Sequence, residues 1–219
     1  MSTFSRLPAL ALSLALGAFV TLTVHAEPYI DYRWPVGVGT KPVYIHSNMP
    51  ELCDNAVLYS VDTWNQAGAR FAFTWPSNPI TAYRNNEQGI TQDLAQITIE
   101  DGAMPSTDPY APAATAWGID ANGYLRDADI FVNRQFLFYA GGTTPAFYCA
   151  VDRTSVPPAG SNQYDYRTVI LHELGHTLHF QDDEEMPSCV MYAYINIREV
   201  RRSLCSAEYL EFRGTYGVR

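Results

Sequence analysis

The sequence predicts an α+β domain on three observations. Two stretches carry the apolar period of a helix, five short runs carry the β-branched and aromatic character of strands, and no repeat, low-complexity tract or linker divides the chain. The 219 residues are acidic, with a formal charge of −9. That balance makes nucleic acid an unfavourable partner.

Residues 1–26 stand apart. Arg6 precedes an apolar run from Leu7 to Thr23, which closes on Val24, His25 and Ala26. This is the pattern of a secretory signal peptide. A membrane anchor would need a longer unbroken apolar run, and this one is interrupted by Pro8, Ser13, Gly17 and Thr21. Cleavage after Ala26 would leave residues 27–219 as one domain, whose charge of −9 becomes −10 with the loss of Arg6. The expected product is secreted, extracellular or periplasmic, without a membrane span and monomeric. Cys53, Cys149, Cys189 and Cys205 all lie in the mature part, where oxidation to two disulfides is expected. Three connectivities are open; the short separation favours Cys189 with Cys205 and Cys53 with Cys149. Without a CxxC pair, these thiols are a poor zinc site.

The first strand is expected at residues 42–46. After Pro50, Val57, Val61 and Trp64 fall at i, i+4 and i+7, one apolar stripe of a helix that should end near Gly68. Residues 71–75, 95–100, 114–118 and 128–133 are the remaining strands. Asp120, Asn122 and Gly123 mark a tight turn between the last two. The stretch 139–162, rich in Gly, Pro, Ser and Thr, is expected to be a long surface loop held by Cys149. A second helix starts at Asp165 as its cap and runs to about Leu178, with Leu171, Leu174 and Leu178 on one stripe.

That second helix carries His172, Glu173, Leu174, Gly175 and His176, an HExxH pattern. Histidines four residues apart on a helix lie about 40° apart around the axis and about 6 Å along it, so both imidazoles reach one metal ion. Glu173 then points beside the ion, where a carboxylate can take a proton from water. In an ordinary helix the same letters would leave both histidines facing solvent.

HExxH in an exported chain, followed by Cys189, Val190, Met191 and Tyr192, resembles the metzincins, and especially their matrixin-like and snapalysin-like members, with HExxHxxGxxH or HExxHxxGxxD and a downstream Met-turn. Residues 206–217 look like that family's C-terminal helix. Residues 43–75 follow its opening strand, helix, strand order, and residues 127–130 look like the strand before the catalytic helix. Residues 80–110 and the loop before Tyr164 do not align. The resemblance implies a twisted mixed β-sheet packed on two long helices, with a small C-terminal subdomain ending in a helix. It also implies a zinc endopeptidase acting on protein or peptide substrates, with one catalytic zinc and Glu173 as general base.

The chain departs from the family at His179, where a glycine would leave the helix in a left-handed conformation. Histidine tolerates that conformation better than most residues. The third ligand is then Asp182 by spacing, with Asp183 as an alternative if the turn gains a residue. His179 is a further candidate, although about 10 Å along the axis from His172 on a continued helix. Met191 takes the role of the Met-turn residue beneath the metal. Tyr192 and Tyr194 are candidate wall or oxyanion residues. Calcium is a lesser expectation, at Asp120, Asn122, Asp127 and Asp129; otherwise the first two make a turn, and the alternating aspartates solvate the outer side of a strand. Two other functions use the same residues: a gluzincin-type peptidase with Glu199 as ligand, and an exported zinc-containing binding module without turnover.

Overall fold

A computed structural model describes residues 28–75, 97–102, 104, 110–136 and 146–219. The signal-like segment and most of residues 80–110 lie outside them. Seven strands and three α-helices are described: β1 (Thr40–Ile45), α1 (Asp54–Asn65), β2 (Ala72–Thr74), β3 (Ile97–Gly102), β4 (Ala113–Ile119), β5 (Leu125–Asn133), β6 (Ala146–Tyr148), β7 (Gln163–Asp165), α2 (Tyr166–His176) and α3 (Ser206–Tyr216).

Five strands form one sheet in the order β2-β1-β3-β5-β4. All neighbours are parallel except β4, which pairs antiparallel with β5 as the outermost strand. The sheet is mixed, as expected. β3 and β5 are buried on both sides, as interior strands of a parallel sheet must be. Side chains alternate across each strand, so Val43, Ile97, Ile99, Ala128, Ile130 and Val132 share one core with α1 and α2. Asp127 and Asp129 are fully buried on β5; the expectation that they solvate an outer face is wrong, because this strand has no wet face.

The expected stripe of α1 is buried, with Val57, Val61 and Trp64 in the core. The helix stops at Asn65, whose side chain bonds both backbone groups of Phe73 and so ties the helix end to β2. Gly68 then turns the chain with φ 73°. α1 has 12 residues and α2 has 11, about three turns each, shorter than the long helices expected. Trp64 Nε1 donates to Leu171 O at 2.9 Å, locking one helix to the other. Every residue of α2 except His176 is buried, which makes it the central helix of the domain.

The stretch expected as one long loop contains β6, which pairs in parallel with β7. Cys149 follows β6 directly and bonds Cys53 at the start of α1, and Cys189 bonds Cys205 at the start of α3. The favoured connectivity is the one present, and no described cysteine is free. α3 does not top a separate subdomain core: Phe212 packs edge-on to Trp64 of α1, with ring centroids 5.5 Å apart. Among the described residues, no helix is long and apolar enough to cross a membrane.

Candidate metal centre

α2 begins where the sequence places its cap: Asp165 accepts from Thr168 N at 3.1 Å and also receives Arg202 Nε at 2.8 Å. From this fixed start the helix presents His172, Glu173 and His176 to a cleft of about 330 Å³. Its other end is closed by paired backbone bonds: His179 N to His176 O at 2.8 Å and Phe180 N to Gly175 O at 3.1 Å. This double bond pattern needs a left-handed residue between the helix and Phe180. His179 supplies it, with φ 65°. The helix therefore ends at His176, two residues before the expected Leu178.

The turn sets the first histidine contact. Phe180 O accepts from His176 Nδ1 at 2.8 Å, and Val190 O accepts from His172 Nδ1 at 2.8 Å. With Nδ1 donating, each neutral ring carries its lone pair on Nε2. The two Nε2 atoms stand 3.1 Å apart, and Asp182 Oδ1 lies 3.3 Å from one and 3.4 Å from the other. Three acceptors facing one another repel unless a cation or proton lies among them. Ligand distances of about 2.0–2.1 Å around a tetrahedral zinc imply ligand separations of about 3.3–3.4 Å. The residues present fit zinc.

Protonation follows the same geometry. Burial opposes a charge on His176, but the bond to Asp182 and the nearby charge of Glu173 outweigh it and raise its pKa to about 9. Burial likewise favours a neutral Asp182, but its bonds from His172 and His176 pull the carboxyl well below the usual range.

Glu173 stands outside the group of His172, His176 and Asp182, with Oε2 accepting from Thr115 Oγ1 of β4 at 2.7 Å. Beneath the trio, Met191 is fully buried against α2; a Cβ on Gly175 would lie 2.2 Å from its Sδ. Met191 N donates to Glu208 Oε1 at 2.7 Å, and Cys205 N donates to Glu208 Oε2 at 2.7 Å. Burial pushes the Glu208 carboxyl up, against those two backbone donors. Glu208 thus caps α3 and fixes the turn whose Val190 carbonyl aims His172.

The remaining candidates fall elsewhere. His179 is buried with its Nδ1 on Gln181 at 3.0 Å. Its ring lies 4.5 Å from Trp117 and 4.8 Å from Tyr32; it is a turn residue, not part of the trio. Asp183 caps the next turn, accepting Glu185 N at 2.7 Å. Tyr192 and Tyr194 contact each other at 5.5 Å; the cleft wall is instead Ala193 and Ile195. Glu199 pairs with Arg201 at 2.8 Å, which removes the gluzincin ligand. Asp120 closes its own turn onto Asn122 N and Tyr124 N at 2.8 and 2.9 Å. Among the described residues, no group of ligating atoms gathers around Asp120, Asn122, Asp127 and Asp129.

Sequence reasoning missed Thr115, Glu208 and Arg201. The buried Arg201 guanidinium donates to the carbonyls of Cys189 at 2.8 Å and Tyr192 at 3.1 Å, organising the loop that forms the cleft wall. Glu208 could have been found, since it lies three residues after Cys205, the spacing of a capping box. Thr115 carries no sequence signal, because its role depends on which strand faces α2.

No family profile matches the chain, and no curated protein does. Among solved structures the fold is similar to high choriolytic enzyme 1, a hatching enzyme zinc-protease from the medaka fish Oryzias latipes, with a TM-score of 0.46 and 12% identity over 85% of this chain and 95% of that one. That likeness is too shallow to assign a family.

Proposed function

We propose that the chain is a secreted zinc-dependent endopeptidase of the metzincin kind, with His172, His176 and Asp182 as ligands and Glu173 as general base. The observation that carries this reading is the convergence of three lone-pair acceptors, 3.1 to 3.4 Å apart, with one carboxylate left outside them. A zinc ion held there supplies Lewis acidity toward the scissile carbonyl and toward water. Glu173 takes the proton from the attacking water and delivers it to the departing amine. The carboxylate of Asp182 would cancel one unit of the charge of an ion held there, which three histidines would not. A carboxylate in this place follows the snapalysin-like spacing within the resemblance.

The cleft suits an extended peptide. One side is β4, the outermost strand, with Ala113, Thr115 and Trp117 in the lining; Ala193 and Ile195 form the other. A peptide laid along β4 adds a strand through backbone bonds, whatever its sequence. Secretion is supported by the signal-like residues 1–26 and by disulfides, which persist in oxidising compartments. His179, where the chain departs from the family pattern, is accommodated in the turn at φ 65°.

The test is hydrolysis of casein by zinc-loaded protein, with and without chelator, beside Glu173→Ala. Chelator-sensitive cleavage that falls at least about a thousandfold in the variant is expected for loss of the base and its water. A zinc-loaded wild type without cleavage would leave the binding module as the function.

A further inference from the structure

We propose that Thr115 is the positioning residue of Glu173, fixing one carboxylate oxygen so that the other meets water. The inference rests on the endopeptidase reading and names a participant from outside the HExxH helix. Thr115 lies on β4 opposite Ile130 of β5, on an element whose main-chain position the whole sheet fixes. Its hydroxyl stands 2.7 Å from Glu173 Oε2 and 3.1 Å from Glu173 O. One hydroxyl hydrogen serves one acceptor at a time, and the shorter contact to the ionised group is the stronger.

Among the described residues, no other donor reaches that carboxylate. A glutamate has about three side-chain torsions, and a rotamer turned from the cleft takes the base away from the water it must deprotonate. With one lone pair of Oε2 tied to the strand, Oε1 is the oxygen left fully free to accept the proton. The strand that would pair with an extended peptide is therefore also the strand that aims the base, so both reactants are registered by one rigid element.

The experiment compares wild type with Thr115→Val, which keeps the shape without the hydroxyl, and Thr115→Ser, which keeps the hydroxyl. All are assayed on a peptide substrate with zinc content measured, and their crystal structures determined. The expected result is that Thr115→Val keeps its zinc, loses about tenfold to a hundredfold in kcat with KM within about twofold, and shows Glu173 in a different rotamer. Thr115→Ser recovers most of kcat. An unchanged kcat in Thr115→Val, a Thr115→Ser as impaired as Thr115→Val, or a Glu173 carboxylate still in place without the hydroxyl overturns the proposal. Wild type without chelator-sensitive hydrolysis would instead overturn the endopeptidase reading; the Glu173 rotamer in Thr115→Val then decides the positioning claim by itself.

Discussion

Gly175 and Met191 occupy what is nearly one volume: a Cβ on the glycine would lie 2.2 Å from the methionine Sδ and 3.0 Å from Trp64 Cζ2. The Gly of the HExxH helix is required by space, since its backbone is ordinary helix. Gly175→Ala should lower stability by about 1–3 kcal/mol or more through overpacking, despite the better helix propensity of alanine. It should also weaken zinc retention by displacing the turn beneath His172. A thermal melt at or above the wild-type midpoint would show that Met191 moves aside freely.

The two alternatives to Asp182 separate cleanly by substitution. Asp182→Ala should cost zinc affinity by orders of magnitude, since one of three protein ligands is lost. Asp183→Ala and His179→Gly should retain stoichiometric zinc, measured by metal analysis after dialysis. At φ 65°, glycine relieves a backbone constraint while removing ring contacts with Trp117 and Tyr32. His179→Val should be the destabilising variant, because a β-branched residue resists that conformation.

The raised pKa of His176, about 9 against an ordinary 6.5, has a signed consequence. A group whose pKa rises on folding stabilises the fold fully below its unfolded value, and that contribution fades as pH climbs through the folded one. In chelator, wild type should therefore lose more of its melting midpoint between about pH 6 and about pH 9.5 than His176→Gln does. Zinc binding has the opposite slope, because the ion displaces a proton: affinity should rise about tenfold per pH unit toward pH 9. Competition titrations with a chelator of known affinity, run at several pH values, measure that slope; a flat profile would contradict it.

The bridge between Cys189 and Cys205 spans 16 residues, worth roughly 3 kcal/mol in the chain-entropy model. It joins the turn carrying Val190 and Met191 to the cap of α3. The double Cys→Ser variant should be less stable by about that amount and release zinc faster to a chelator. Equal release rates would show that Glu208 and Arg201 hold the turn unaided.

What the sequence made legible were the features written in local spacing. The histidine pair, the Asp165 cap and the α1 stripe follow from offsets within a few residues, and the left-handed site at residue 179 is what the family resemblance implied. What it hid depends on contacts distant along the chain. Thr115 meets Glu173 across 58 positions and Arg167 O meets Ser60 across 107. The burial of Asp127 and Asp129 was misread because period-two polarity means a wet face only on a strand with one. Tyr192 and Tyr194 were chosen for their chemistry, but the backbone of that loop brings Ala193 and Ile195 into the cleft lining instead.

The turn carrying Val190 and Met191 is anchored by Arg201 and by Glu208 of α3, whereas Thr115 belongs to β4. Phe180 O aims His176 from within the turn, but aiming His172 needs the Val190 carbonyl that Glu208 helps to hold, and Glu173 takes its donor from β4. The geometry of the candidate metal centre is thus completed by contacts made across the chain, not within α2 alone.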